Sequence, residues 1–134
     1  THETIRVDKG SLDGGKKGAV VSVPEGLVGR VSDVTLHTSE ITLLTDPTVR
    51  VSCEIETEAP NPPRGILSGA SSEYLVLKHL VRATSAPPRS RVITSGFGGV
   101  FPRGLEVGTY ISDGQVMPAV DFATLEDVFI RREK

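Results

Sequence analysis

Short apolar runs, most of them alternating with polar residues, recur along the chain between clusters of glycine, proline and aspartate. Alternation with a period of two residues is typical of β-strands, and no stretch sustains helical spacing over three turns. The pattern therefore predicts an all-β protein with little helix. The strands are expected at residues 5–7, 19–23, 27–36, 41–45, 49–56, 65–67, 74–80, 91–94, 107–112, 115–120 and 128–131.

Two proline-rich segments, 58–63 and 84–90, separate these runs. Proline cannot donate to a sheet ladder, so both segments are expected to be surface loops that interrupt pairing. Frequent short strands with glycine-rich connections favour a barrel or a sandwich, and the two loops suggest two lobes.

The segment 94–108 contains five glycines and one proline yet remains apolar. This composition predicts a tight, buried turn between two strands, with glycine wherever the backbone needs a positive φ or a close approach. The segment holds almost no titratable group, which favours a structural corner over a reacting site. The residues expected to form this motif are Thr94, Ser95, Gly96, Gly98, Gly99, Phe101, Pro102 and Gly104.

The composition excludes several function classes. A net charge of −2 and a pI near 5.9 give no electrostatic footprint for nucleic acid. No run of about 18 apolar residues is present, so no transmembrane helix is predicted. Aromatic residues make up only 4% of the chain, so valine, isoleucine and leucine must build the core.

Cys53 is the single cysteine and excludes an internal disulfide bond. It shares one predicted strand face with Val49, Val51 and Ile55, which favours a buried apolar filler. A reactive thiol would need nearby cations, and only Arg50 is close in sequence.

Ser95 is the strongest candidate for a nucleophile, because glycines surround it as they surround the serine of barrel-shaped proteases. Catalysis would need a general base beside it, and nothing places His2, His37 or His79 there. Ser95 is therefore expected to bond its own backbone in a turn. No spacing of histidine, cysteine or acidic residues suits a metal, and no cofactor or catalytic residue is predicted.

The remaining candidate chemistry is protein contact. Phe97 lies between glycines at a loop tip, where it either meets a partner or closes the end of a barrel. The run 74–80 is apolar on both faces, so Leu75 and Leu77 either lie between lobes or offer a surface to another protein. Leu75, Leu77 and Phe97 are the predicted partner-binding residues.

Seven fragments resemble, in order, the extracytoplasmic β-region of the MreC family of bacterial rod-shape-determining proteins. They are DKGSLDG (8–14), KG (17–18), GLVGRV (26–31), LLTDP (43–47), GILSG (65–69), the segment 94–108, and PAVDF (118–122). The resemblance implies two small β-barrels, distantly similar to those of trypsin-like proteases. Residues 1–57 and 115–134 are expected to form the first lobe, and 58–114 the second.

The resemblance also implies a function. It is that of a non-catalytic scaffold of the cell-elongation machinery, needed for cell shape, at the periplasmic face of the inner membrane. The implied partners are a class B penicillin-binding transpeptidase, further copies of MreC, MreD and the MreB system. An N-terminal helix is expected to anchor the intact protein. A protease-like hydrolase and a peptidoglycan-binding module remain the alternatives.

Overall fold

A computed structural model describes residues 3–58, 60–70, 74–81, 87–123, 125, 129 and 130. Within these residues the fold is all-β, with one short 3₁₀ turn at Ser11–Asp13, and strands lie in each of the predicted runs. The strands are β1 (Thr4–Val7), β2 (Val20–Val23), β3 (Gly26–Val34), β4 (Ser39–Leu43), β5 (Arg50–Ile55), β6 (Arg64–Gly69), β7 (Leu75–Val81), β8 (Arg91–Thr94), β9 (Glu106–Ser112), β10 (Gln115–Pro118) and β11 (Phe129–Ile130).

The strands form two bodies. One is a closed barrel with the strand order β10-β7-β6-β5-β8-β9, and the other is a five-stranded sheet with the order β1-β4-β3-β2-β11. All pairings are antiparallel. The edge strands of this sheet are β1 and β11, the first and last strands of the described residues. That lobe was expected to be a second barrel, and in the described part of the chain it is an open sheet.

The predicted lobe boundaries, 1–57 with 115–134 and 58–114, are wrong at two strands. Strand β5 pairs with β6 and β8, and β10 pairs with β7 and β9. A barrel closes only when every strand has two neighbours, so both β5 and β10 belong to the barrel. The chain therefore crosses between the lobes before residue 50 and again after residue 118.

The hairpin of β2 and β3 is buried on both faces because it lies between two cores. Val20 and Leu27 belong to the barrel core, whereas Val21 and Val28 belong to the core on the other side of the sheet. A strand that is covered on both faces carries apolar residues at consecutive positions. For this reason apolar and polar residues do not alternate regularly in this hairpin. The shared packing joins the two lobes.

The connection from the sheet to the barrel is fixed by Asp46, which is fully buried. Its carboxylate accepts hydrogen bonds from the backbone N–H and the hydroxyl of Thr48. It also accepts the backbone N–H of Glu3 at 2.8 Å, just before β1. The Asp46-Pro47 sequence lies in a turn, as aspartate before proline favours. One carboxylate thus joins the turn to the backbone just before β1.

The corner between β8 and β9 has the backbone that its glycines predict. Gly96, Gly98, Gly99 and Gly104 have φ values of 84°, 83°, 72° and 94°, in the region that disfavours other residues. Thr94 is buried beneath the corner, where its hydroxyl donates to the Pro102 carbonyl at 2.6 Å. The same hydroxyl accepts the Leu105 N–H at 2.9 Å. The Thr94 side chain therefore ties the end of β8 to the part of the loop that leads into β9.

The expectation that this corner is buried is wrong at its tip. Phe101 turns inward and packs into the barrel core, but residues 97–100 are exposed. The loop places one aromatic side chain in the barrel, and the chain between Gly96 and Val100 projects into solvent.

Replacement of Thr94 by valine is expected to lower the free energy of unfolding by about 1–3 kcal/mol, because it leaves the partly buried Leu105 N–H without its acceptor. Replacement by serine keeps the hydroxyl and should cost less. Urea unfolding followed by circular dichroism measures both values. Equal stability of the valine variant and the original chain would show that the hydroxyl does not hold the corner.

Cys53 is fully buried in the barrel core, as predicted. Burial, and to a smaller extent the neighbouring Glu54 carboxylate, raises the pKa of its thiol far above the usual value. The folded protein should therefore resist thiol-disulfide reagents at pH 8, where an exposed cysteine reacts readily. Labelling should begin only in the urea range that unfolds the chain, and rapid labelling below that range would contradict the buried position.

Candidate interaction surface

Ser95 has the surroundings of a turn residue. Its hydroxyl accepts the Phe97 N–H at 3.4 Å, and its own N–H donates to the Ser52 carbonyl at 2.9 Å. His37 lies in the β3–β4 turn of the five-stranded sheet and His79 on β7 of the barrel, while His2 is outside the described residues. Neither described histidine is hydrogen-bonded to Ser95. The interpretation of Ser95 as a turn hydroxyl is confirmed.

The described residues contain no group of three or more histidine, cysteine or acidic side chains placed to hold a metal ion. In the 8–14 segment, the Asp13 carboxylate caps the backbone of the 3₁₀ turn, since it accepts the Gly10 N–H at 3.0 Å. The same described residues include no helix with the length and hydropathy of a membrane span.

Leu75 and Leu77 do not form a surface, and the prediction that they do is wrong. They are 0% and 3% exposed and belong to the barrel core. Strand β7 is paired on both sides, with β6 and β10, and these two side chains point inward from it. The outward positions of the strand include the exposed Lys78 and the half-buried Val76. A protein contact at β7 would not involve either leucine.

Phe97, in contrast, is 60% exposed at the tip of the corner. The Arg64 guanidinium lies over its ring, with the carbon atom Cζ 4.8 Å from the ring centroid. Val100, three residues on, is 49% exposed. The alternative role of Phe97 as a barrel plug is excluded, because Phe101 of the same corner enters the barrel core instead.

A groove of about 260 Å³ adjoins Phe97. It is bordered by the proline-rich loop that precedes β6, and the ion pair of Arg103 with Glu54, 3.3 Å long, crosses the same region. Together these residues define the Phe97 surface. Its members are Glu54, Pro60, Asn61, Pro62, Arg64, Ser95, Phe97, Val100 and Arg103.

The Phe97 surface has the composition of a protein-contact site. Exposed aromatic and arginine side chains are enriched at the centres of protein interfaces, where they supply most of the binding free energy. Sequence reasoning identified Phe97 but missed Arg64 and the loop 60–62 as its neighbours. The cluster of prolines predicted an exposed loop, but its position beside Phe97 depends on the pairing of β5 with both β6 and β8.

Besides Phe97 and Val100, the structure exposes other large apolar side chains that the sequence analysis did not identify. Leu12 of the 3₁₀ turn and Leu36 of the β3–β4 turn are both exposed, and the Leu12 N–H donates to the Leu36 carbonyl at 3.2 Å. Tyr74 and Met117 are the other large apolar residues that are exposed in the described part of the chain. Scattered exposed apolar residues are normal on soluble proteins and need no functional explanation.

Comparison with known sequences matches residues 1–132 to a family described as "Rod shape-determining protein MreC, barrel core". The chain is 34% identical over 135 residues to the cell shape-determining protein MreC of Cereibacter sphaeroides, with 97% of the chain covered. It is 33% identical over 110 residues to that of Listeria monocytogenes, with 81% covered. The chain spans 44% and 37% of the lengths of these two relatives. Both are named for determining cell shape, and neither for a catalysed reaction.

Solved structures agree with the sequence comparison. The MreC structure from Listeria monocytogenes superposes with a TM-score of 0.82 at 30% identity, covering 95% of this chain and 66% of that one. A more distant structure, 18% identical with a TM-score of 0.58, covers 75% of this chain and 65% of its own, and supports the fold alone. It is a complex between a penicillin-binding protein (PBP2) and MreC from Helicobacter pylori.

The ordered fragments, the barrel with its adjoining sheet, and these comparisons agree. The chain belongs to the MreC family of rod shape-determining proteins and comprises the barrel core of that family.

Proposed function

We propose that this chain is the docking body of a non-catalytic, extracytoplasmic scaffold that binds a class B penicillin-binding transpeptidase through the Phe97 surface. The observation that carries the proposal is the exposed Phe97 ring, which is fixed beneath Arg64 at a groove. The choice of partner is supported by the family resemblance and by the Helicobacter pylori complex of MreC with a penicillin-binding protein.

The geometry of the corner suits such a contact because the side chain is presented by a constrained loop. Thr94, at the end of β8, bonds to Pro102 and Leu105 near the start of β9, and the glycines of the loop adopt positive φ values. A loop that is already ordered loses little conformational entropy on binding, so more of the contact energy becomes affinity. Phe97 is therefore the side chain expected to contribute most to binding.

Activation of the transpeptidase would follow from differential binding. A scaffold that contacts one conformation of its partner more strongly shifts the population toward that conformation, and by no more than the difference in affinity. In this proposal the Phe97 surface binds the non-catalytic region of the transpeptidase in its active arrangement. The scaffold itself contributes no reacting group.

The wider role in cell elongation belongs to the intact protein. The family resemblance supports a location at the periplasmic face of the inner membrane, an anchoring helix before this region, self-association, and links to MreD and the MreB system. These roles are proposed for a longer protein that contains this barrel core, as the curated relatives do.

Replacement of Phe97 by aspartate should weaken binding to the non-catalytic region of the transpeptidase by roughly thirtyfold, the loss expected at an aromatic hot spot (about 2 kcal/mol). The side chain is exposed, so the variant should fold as the original chain does. Isothermal titration calorimetry with the purified partner measures the change, and circular dichroism confirms the fold.

The matched control is replacement of Met117 by aspartate, which places the same charge on an exposed apolar position of β10. This control should bind like the original chain. An unchanged affinity of the Phe97 variant, or an equal loss in both variants, would exclude the Phe97 surface as the binding site.

A further inference from the structure

A second groove lies between the two lobes, and its charge is entirely positive. It has a volume of about 510 Å³ and includes Lys17, Arg30 and Arg50 among its lining residues, with no acidic side chain. Arg30 comes from β3 of the five-stranded sheet, whereas Arg50 begins β5 of the barrel. The groove therefore forms only when the lobes pack together. We call it the interlobe groove.

The cations of the interlobe groove have no carboxylate partner in the described part of the chain. The ion pairs among the described residues lie outside the groove. They join Arg91 to Glu56 and Glu106, and Arg103 to Glu54. The chain as a whole carries a charge of −2, whereas the residues that line this groove include three positive charges and no negative one. Such a concentration of one charge in a concave site attracts ligands of the opposite charge.

Two of these cations are held in place by the backbone. The Nε atom of Arg30 donates to the Gly18 carbonyl at 3.3 Å, and its guanidinium carbon lies 5.9 Å from the centroid of the Phe101 ring. The Nη1 atom of Arg50 donates to the carbonyls of Pro47 and Val49. A guanidinium has five N–H donors, so each arginine retains donors for a ligand while its position is fixed.

The remaining lining favours a peptide over a phosphate group. Phosphate sites are typically built from free backbone N–H groups at a nest or a helix terminus. Here the N–H groups of Gly18, Val31 and Val49 already donate to backbone carbonyls, and that of Thr48 donates to Asp46. The lining also includes the apolar residues Val49 and Phe101. A groove with cations beside apolar residues is complementary to an extended peptide in which carboxylate side chains alternate with apolar ones.

We propose that the interlobe groove binds an acidic segment of a partner polypeptide, with its carboxylates paired to Arg30, Arg50 and Lys17. Arginine and carboxylate groups pair through two parallel hydrogen bonds, which adds orientation to charge attraction. The groove shares no lining residue with the groove at Phe97, so this contact does not depend on the function proposed above. Because both lobes supply its cations, such a segment would also favour the packed arrangement of the lobes.

Fluorescence anisotropy with a labelled peptide that alternates glutamate and leucine tests the proposal on the purified chain. The peptide should bind, and its affinity should fall steeply as the salt concentration rises. A matched peptide with glutamine in place of glutamate should not bind. Replacement of Lys17 by glutamate should weaken binding roughly tenfold, and the double replacement of Arg30 and Arg50 by glutamate should abolish it.

The control is the same double charge reversal at Lys9 and Lys78, which are exposed and do not line the groove. It changes the net charge equally and should leave binding intact. Lys17 forms no hydrogen bond within the described residues, so its variant tests the site even if the arginine variant is unstable. Equal losses in the control and groove variants, binding of the glutamine peptide, or stronger binding of a glycerol-phosphate oligomer than of the acidic peptide would each overturn the proposal.

Discussion

The bonding of Thr94 at the corner between β8 and β9 is the constraint on which the rest of this structure depends. Its hydroxyl ties the end of β8 to Pro102 and Leu105 before β9, across a loop whose glycines have positive φ. The closed loop sends Phe101 into the barrel core and Phe97 into solvent. A barrel core and an exposed contact residue thus result from one local conformation. The buried Phe101 also forms part of the wall between the lobes, so the corner links both grooves.

Much of the fold could be predicted because its signals are local. Alternation located each strand, and the glycines of the corner and the buried Cys53 behaved as their residue types indicate. The division into lobes failed because β5 and β10 pair with strands that are distant in sequence. No local pattern specifies which of two adjacent sheets a strand will join, and the position of β5 decides where the barrel begins.

The candidate site was predicted less completely for the same reason. Phe97 was identified because glycines on both sides make burial difficult, but Leu75 and Leu77 were assigned to the wrong side of their strand. Both faces of 74–80 carry apolar residues, so the sequence alone could not show which face the barrel would enclose. The cations of the interlobe groove come from three separate segments, and only the packing of the lobes brings them together. Docking surfaces of this kind are properties of tertiary structure.

The central claim is that the Phe97 surface contacts a transpeptidase in the working complex. The most direct test is site-specific photo-crosslinking in growing cells, with a photoreactive amino acid at position 97 of the full-length protein and, separately, at position 117. Our account predicts a crosslink to the class B transpeptidase from position 97 and none from position 117. Crosslinking from position 117 alone, or equally from both positions, would contradict it.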